Sequence, residues 1–184
     1  MSEVTDAVMN QVATVLDGGG LTYDVDGESI RLGWAGEAED EKVMVRLWCQ
    51  ETDIAVNDEI FTVPILLVQA PLVVDFELTP ENLAGALLAS NQFNESALMK
   101  MRVQLPKPAM TLEEAATGEA KGWIYMEAGI AATDLQPQEI IFLLLELKDT
   151  ADAVDDILAG GLGGRTFFQL YRDGSTTGGL TLDI

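Results

Sequence analysis

The chain of 184 residues contains no histidine, one cysteine and only 10 lysines and arginines against 31 acids. Histidine is the common general base and metal-ligating imidazole near neutral pH, so a serine or cysteine nucleophile has no usual partner here and zinc has no nitrogen ligand. One cysteine excludes an intramolecular disulfide and suits a reducing compartment. The shortage of cations, a formal net charge of -21, works against nucleic acid and anionic membranes, which are bound by neutralising phosphate with Lys and Arg. Nor is there a long apolar run: Ile60 to Val74 is too short to span a bilayer and is broken by Pro64 and Pro71. Met1 to Asn10 carries Glu3 and Asp6 and no base, unlike a signal peptide. These absences lead to the expectation of a cytoplasmic protein without cofactor or metal, contacting neither nucleic acid nor membrane.

What is present is globular: 48% hydrophobic and 22% charged residues exclude disorder. Ser2 can cap a helix in which Val4, Val8, Val12, Val15 and Leu16 recur at helical spacing, ended by Gly18-Gly19-Gly20. Leu21, Tyr23 and Val25, an Asp26-Gly27 turn, then Ile30, Leu32 and Trp34 read as a hairpin. The alternative calcium-loop reading of Thr22-x-Asp24-x-Asp26-Gly27 fails because its first and twelfth positions are Thr22 and Gly33. An acidic turn over 35–42 and strands around 43–49 and 54–61 follow, with an extended or looped run to Phe76. Cys49 falls in the apolar alternation of the first of these strands and reads as a small buried hydrophobe. Trp34, Trp48 and Trp123 fall in strands and read as core.

Thr79-Pro80-Glu81 starts a second helix, continued by Leu83, Ala86, Leu87 and Ser90, with Asn91 and Asn94 near its exit. Ala97 to Val103 and Trp123 to Ile130 read as strands, separated by a Pro106/Pro108 loop with a short helical turn between Thr111 and Gly118. Gln136-Pro137-Gln138-Glu139 begins a long last helix ending at Gly160, Gly161, Gly163 and Gly164. That glycine run follows a helix and carries Arg165 in place of lysine, so it is a helix exit and not a phosphate loop. Thr166 to Tyr171 is strand-like and leads into a polar tail. The order gives an α+β fold, helix–strands–helix–strands–helix, with the helices packed on an antiparallel sheet. The boundaries are a single domain over 1–160 and an extension over 161–184.

Two segments carry a family resemblance. Leu78-Thr79-Pro80-Glu81-Asn82-Leu83, running into Leu87 to Asn94 and a strand, resembles the YbjN-type, type III secretion chaperone-like family, whose middle helix ends in a paired-asparagine element before its fourth strand. Asp134 to Leu158, with its Gln138-Glu139 opening and leucine-rich middle, is similar to that family's final helix. The resemblance spans roughly residues 2–160. It implies a helix–sheet fold, frequent homodimers, small acidic members, and binding of proteins rather than turnover of substrates.

The candidate contact residues follow from the last helix. Ile140, Leu144, Leu147, Ala151, Val154 and Leu158 form one apolar stripe, and Ile141, Phe142, Leu143 and Leu145 make the first turns apolar nearly all round. That excess is covered within the monomer, by a dimer seam, or by a partner. Ile65, Leu66 and Leu67 form a second candidate surface, with a core strand as the alternative. Asp149, Asp152, Asp155 and Asp156 are either a solvated face or contacts for a basic partner. The expected function is a non-enzymatic protein- or peptide-binding module, chaperone-like or regulatory. The alternative is an assembly factor dedicated to one complex, with a carboxylate- and Mg²⁺-dependent enzyme behind both.

Overall fold

The computed structural model describes residues 2–35, 42–57, 59–96, 99–107, 110–115, 120–167 and 169. The acidic turn inside 35–42, the Trp34 side chain and the tail from Tyr171 onward lie outside the described residues. The first helix, α1 (Glu3–Gly18), begins where Ser2 Oγ accepts the Thr5 amide at 3.2 Å. Val8, Met9, Val12 and Leu16 are buried while Val4 faces solvent, so the apolar stripe begins one turn later than its valines suggest. Gly20 takes φ 68°, and the Leu21 amide returns to the Leu16 carbonyl at 3.0 Å. Glycine adopts that left-handed exit without steric cost.

The sheet begins with β1 (Tyr23–Asp26) and β2 (Ser29–Ala35), joined by a two-residue turn with Gly27 at φ 58°. Next come β3 (Lys42–Val56) and β4 (Glu59–Glu77), then β5 (Lys100–Gln104), β6 (Lys121–Ala131) and the short β7 (Arg165–Thr166). All pairings are antiparallel in the order β1-β2-β3-β4-β6-β5. β7 pairs β4 at Val73 and Val74, beyond the last β3 pairing at Gln69. The strand expected over 54–61 is corrected: a turn at Asn57, φ 52°, lies inside it, and 54–56 pairs with 59–61. Asparagine tolerates that left-handed backbone. β4 also continues through both prolines. Pro64 pairs β3 beyond the last paired residue of β6, its carbonyl accepting the Ala132 amide at 2.7 Å, and Pro71 sits at a register shift. These are places where a missing N–H breaks no ladder.

Between strands, α2 (Pro80–Ser96) is capped by Thr79 Oγ1, which accepts the Asn82 amide at 3.1 Å; Leu83, Ala86 and Ser90 point inward and Leu87 outward. The short α3 (Leu112–Ala115) is held by reciprocal bonds between Thr111 and Glu114. The Thr111 amide, then its hydroxyl, holds the Glu114 carboxyl below its ordinary pKa. The last helix, α4 (Pro137–Leu162), starts with Glu139 accepting the Gln136 amide at 2.7 Å. It runs through Gly160 and Gly161 to a left-handed exit at Gly163, φ 67°, within the expected glycine run, with Leu162 buried in the last turn.

α4 ends at Leu162, and β7 follows it onto β4. Among the described residues, strand pairing after Gly164 is limited to β7, where Thr166 Oγ1 accepts the Gln169 amide and Gln169 Oε1 accepts the Thr166 amide. Of the strand expected over Thr166 to Tyr171, Thr166 pairs in β7, and residues 168, 170 and 171 lie outside the described residues. α1, α2 and α4 all cover one face of the sheet, where Leu47, Leu66, Val68, Ile124, Met126, Leu144 and Leu147 form the core. The fold is α+β, helices on an antiparallel sheet, as the element order implied.

Candidate functional site

α4 is apolar on more than the face it buries, and its surplus side chains line two clefts. Phe142, 57% exposed, stands with Leu143 in a cleft of about 670 Å³ whose other walls are Phe93 of α2, Met99 and Ile130. The charged groups of this lining are Glu139 and Glu146. Ile141 and Leu145 lie across the helix in a smaller cleft of about 190 Å³ against Val15 of α1 and Leu21 just beyond it. Residues one apart on a helix point 100° apart, which separates Ile141 from Phe142 while keeping it with Leu145.

The second candidate surface divides as well. Leu66 is fully buried in the core, which removes it from any contact surface. Ile65 and Leu67 are half-buried on the opposite face of the sheet, beside Trp48. Trp48 and Trp123 are therefore corrected from core residues to half-buried residues on the face away from the helices. Arg46 stacks over the Trp48 ring at 5.4 Å.

The four acids of α4 also part company. Lys148 bonds Asp152 at 3.1 Å and Asp149 at 3.2 Å. Burial works against the charge on Lys148, but the bonds from Asp152 and Asp149 outweigh it and hold its pKa above the ordinary value. Asp152 and Asp149 are thus both engaged within the chain, Asp152 half-buried and Asp149 exposed. Asp149 and Asp156 lie seven and fourteen residues beyond Phe142 and continue its side of the helix past Glu146, with both side chains exposed. Asp155 follows the Lys148–Asp152 side.

Asn91 faces solvent, and Asn94 lies two residues before the end of α2 at Ser96. It clamps β5: Asn94 Oδ1 accepts the Met101 amide at 2.7 Å and its Nδ2 donates to the Met101 carbonyl at 3.0 Å. The side-chain amide thereby stands in for a missing neighbour strand on the sheet edge and holds Met99 in the cleft wall. Asn94→Ala leaves both Met101 groups without these partners and should cost about 1–3 kcal/mol, read from urea unfolding at unchanged m-value.

The helix–sheet order is the feature compared with solved structures. The chain has the YbjN fold. It superposes on the crystal structure of YbjN, a candidate transcription regulator from E. coli, with a TM-score of 0.52 over 85% of this chain and 93% of that one, at 10% identity. No family model and no curated protein matches the sequence. At this identity the likeness to YbjN shows the architecture alone, and the YbjN-type resemblance read from the sequence holds at that level.

Among the described residues no group of three or more Cys, Asp and Glu gathers as a metal site, and no helix is long and apolar enough to cross a membrane. Cys49 is buried, and burial, then the Glu51 carboxylate, pushes its thiol above the ordinary value. Native protein at mildly alkaline pH should react with iodoacetamide at least about tenfold more slowly than the unfolded chain, since thiolate is the reactive form. The check is intact-mass labelling kinetics with and without guanidinium. Sequence reasoning missed Phe93, Met99, Ile130, Glu139 and Glu146. Their signal is weak, an apolar residue near an element's end or one acid among many, and only packing joins them.

Proposed function

We propose that the protein is a non-enzymatic binding module that holds an apolar segment with basic flanks from a protein partner in the cleft between α2, β5, β6 and α4. The observation that carries this reading is the cleft itself: exposed Phe142 over an apolar floor, with Glu139 and Glu146 as its charges. A short peptide fits such a volume, with two or three apolar side chains inserted and the remainder along the rim. Beyond Glu146 the exposed Asp149 and Asp156 extend the acidic rim along α4, which favours Lys or Arg on the segment. The net charge of -21 supports fast capture of a basic partner and opposes contact with nucleic acid.

The role put forward for YbjN, transcription regulation, agrees with a regulatory module, and the charge of this chain directs such a role to a protein rather than to DNA. Selection from a displayed random-peptide library against the full chain tests the reading. Enriched sequences should combine aromatic or aliphatic anchors with Lys or Arg. Enrichment of acidic sequences, or none above background, contradicts it. A dedicated assembly factor differs only in having one stoichiometric partner, visible in affinity capture.

A further inference from the structure

The outer side of α4 carries a repeat that runs past the cleft. Glu139, Leu143, Glu146, Thr150, Ala153 and Ile157 recur at alternating spacings of four and three residues. Helical rotation brings all six within about 80° of one another, between the buried stripe of Ile140, Leu144 and Leu147 and the rim of Phe142, Asp149 and Asp156. None of the six is buried: Leu143 and Thr150 are half-buried, and Ile157 is 74% exposed. A four-three repeat on the open side of a helix is the pattern a second helix packs against. α4 walls the cleft from Gln138 to Thr150, a run of about 18 Å. Half a helical cylinder about 10 Å across and about 18 Å long occupies about 700 Å³. The cleft holds about 670 Å³.

We propose that the partner segment is an amphipathic α-helix laid along α4, with apolar residues at three- and four-residue spacing and two bases seven residues apart. This rests on the cleft being the partner site and fixes the form of what enters it. Period separates helix from strand here. The α4 repeat averages 3.5 residues, a rise of about 5.3 Å, and a second helix presents its side chains at the same interval. An extended chain presents them about every 6.8 Å on one face, and falls about 1.5 Å further out of step at each repeat. The chain entering β5 also stands at the end of β6, since Lys100 pairs Glu127 and Met99 lines the cleft with Ala128. That leaves α4 as the long wall. Glu139 and Glu146 lie seven residues apart, about 10.5 Å along the axis, and Asp149 and Asp156 repeat the interval on the rim. Bases seven apart on one helix meet such a pair together, as flanking charges do between paired helices. A second copy of α4 would set acid against acid, so the occupant is a helix of another protein.

Fluorescence anisotropy of a labelled peptide tests this with the full chain. The probe is built of Leu, Ala, Gln and Lys over about five helical turns, the length of the α4 repeat, with leucines at three- and four-residue spacing and two lysines seven apart. Its isomer has the same composition with leucines at alternate positions. The helical probe should bind at least about tenfold tighter than the isomer and gain helical circular dichroism on binding. Glu146→Lys and Ile157→Lys, both at exposed positions, should each weaken it at least about tenfold. Ile157 stands past Thr150, the last cleft residue of α4, so its effect reads the length of the contact. Glu139 is left unaltered because it caps α4. A probe with glutamates for lysines should recover most of the Glu146→Lys loss. An isomer that binds as tightly, with the Met99 and Ile130 methyls shifting, overturns the helix and leaves the cleft as the partner site. Affinity untouched by both substitutions overturns it as well. If no probe moves those methyls, the helix and the cleft fall together.

Discussion

Phe76→Ala should lower the free energy of unfolding by about 3–5 kcal/mol, the largest single loss in this fold, as expected for a fully buried aromatic ring. Phe76 lies on β4 between β6 and the exit of α4. A Cβ added at Gly122 would come within 2.9 Å of its ring, and one added at Gly164 within 3.0 Å of its Cβ. Both glycines thus let neighbouring backbone close on this side chain. The ring also fills the place where β4 changes register between Val73 and Phe76, with Asp75 at φ 58° and bonded to Arg165 at 2.7 Å. Removing it leaves a cavity walled by backbone, which relaxes little. For a chain of this length the loss corresponds to a fall in Tm of roughly 6–20 °C.

Two neighbouring changes separate packing from a general weakness of the region. Gly164→Ala would place a Cβ 2.4 Å from Val73 Cγ1 and 3.2 Å from the Val74 carbonyl, and should cost about 1–3 kcal/mol by overpacking. Gly122→Ala meets the Phe76 ring and the Leu78 side chain, so its cost should shrink in the Phe76→Ala background, where the ring is gone. Thermal and urea unfolding of the single and double variants measures that coupling. Strictly additive losses would show that the ring and Gly122 do not share the space.

Phe142→Glu should weaken binding of a basic, apolar peptide about 100-fold while leaving the unfolding midpoint within a degree or two. An exposed aromatic at the centre of a cleft is the kind of residue whose removal costs several kcal/mol of binding, and exposed positions contribute little to folding. The new carboxylate beside Glu139 and Glu146 also excludes apolar ligands. Ile141→Glu, in the smaller cleft across the helix, serves as the comparison and should change affinity less than threefold if distance alone separates the sites. Isothermal calorimetry with an enriched peptide reads both. Equal losses for the two variants would assign the binding to the whole helix and not to one cleft.

The fold was legible where local rules act alone. Ser2, Thr79 and Gln136-Pro137 start their helices as capping chemistry dictates, and the alternation around Asp26-Gly27 closes its hairpin. It was less legible where tertiary pairing overrides a local signal. Pro64 and Pro71 read as breaks, yet each sits at an end or irregularity of the ladder, and only the pairing partner reveals this. Gly160, Gly161, Gly163 and Gly164 read as one exit, and only the burial of Leu162 shows that α4 leaves at Gly163.

The candidate surface was half legible for a related reason. Helical and strand periods already separate Phe142 from Ile141 and Leu66 from its neighbours. Which face receives α1, α2 and α4 depends on long-range packing that no local window contains. Cross-strand neighbourhood is the extreme case: Asp24 and Lys100 are 76 positions apart in the chain and share a row across the sheet only through the strand order.

Methyl-resolved NMR of the full chain titrated with an enriched peptide tests the central claim most directly, since it locates the ligand without altering the protein. The predicted result is a set of saturable shifts at Met99, Ile130 and Leu143, with Ile54, Ile65 and Ile141 unmoved. Shifts centred on the smaller cleft or on the far face of the sheet, or none at saturating peptide, would contradict the assignment of this cleft as the partner site.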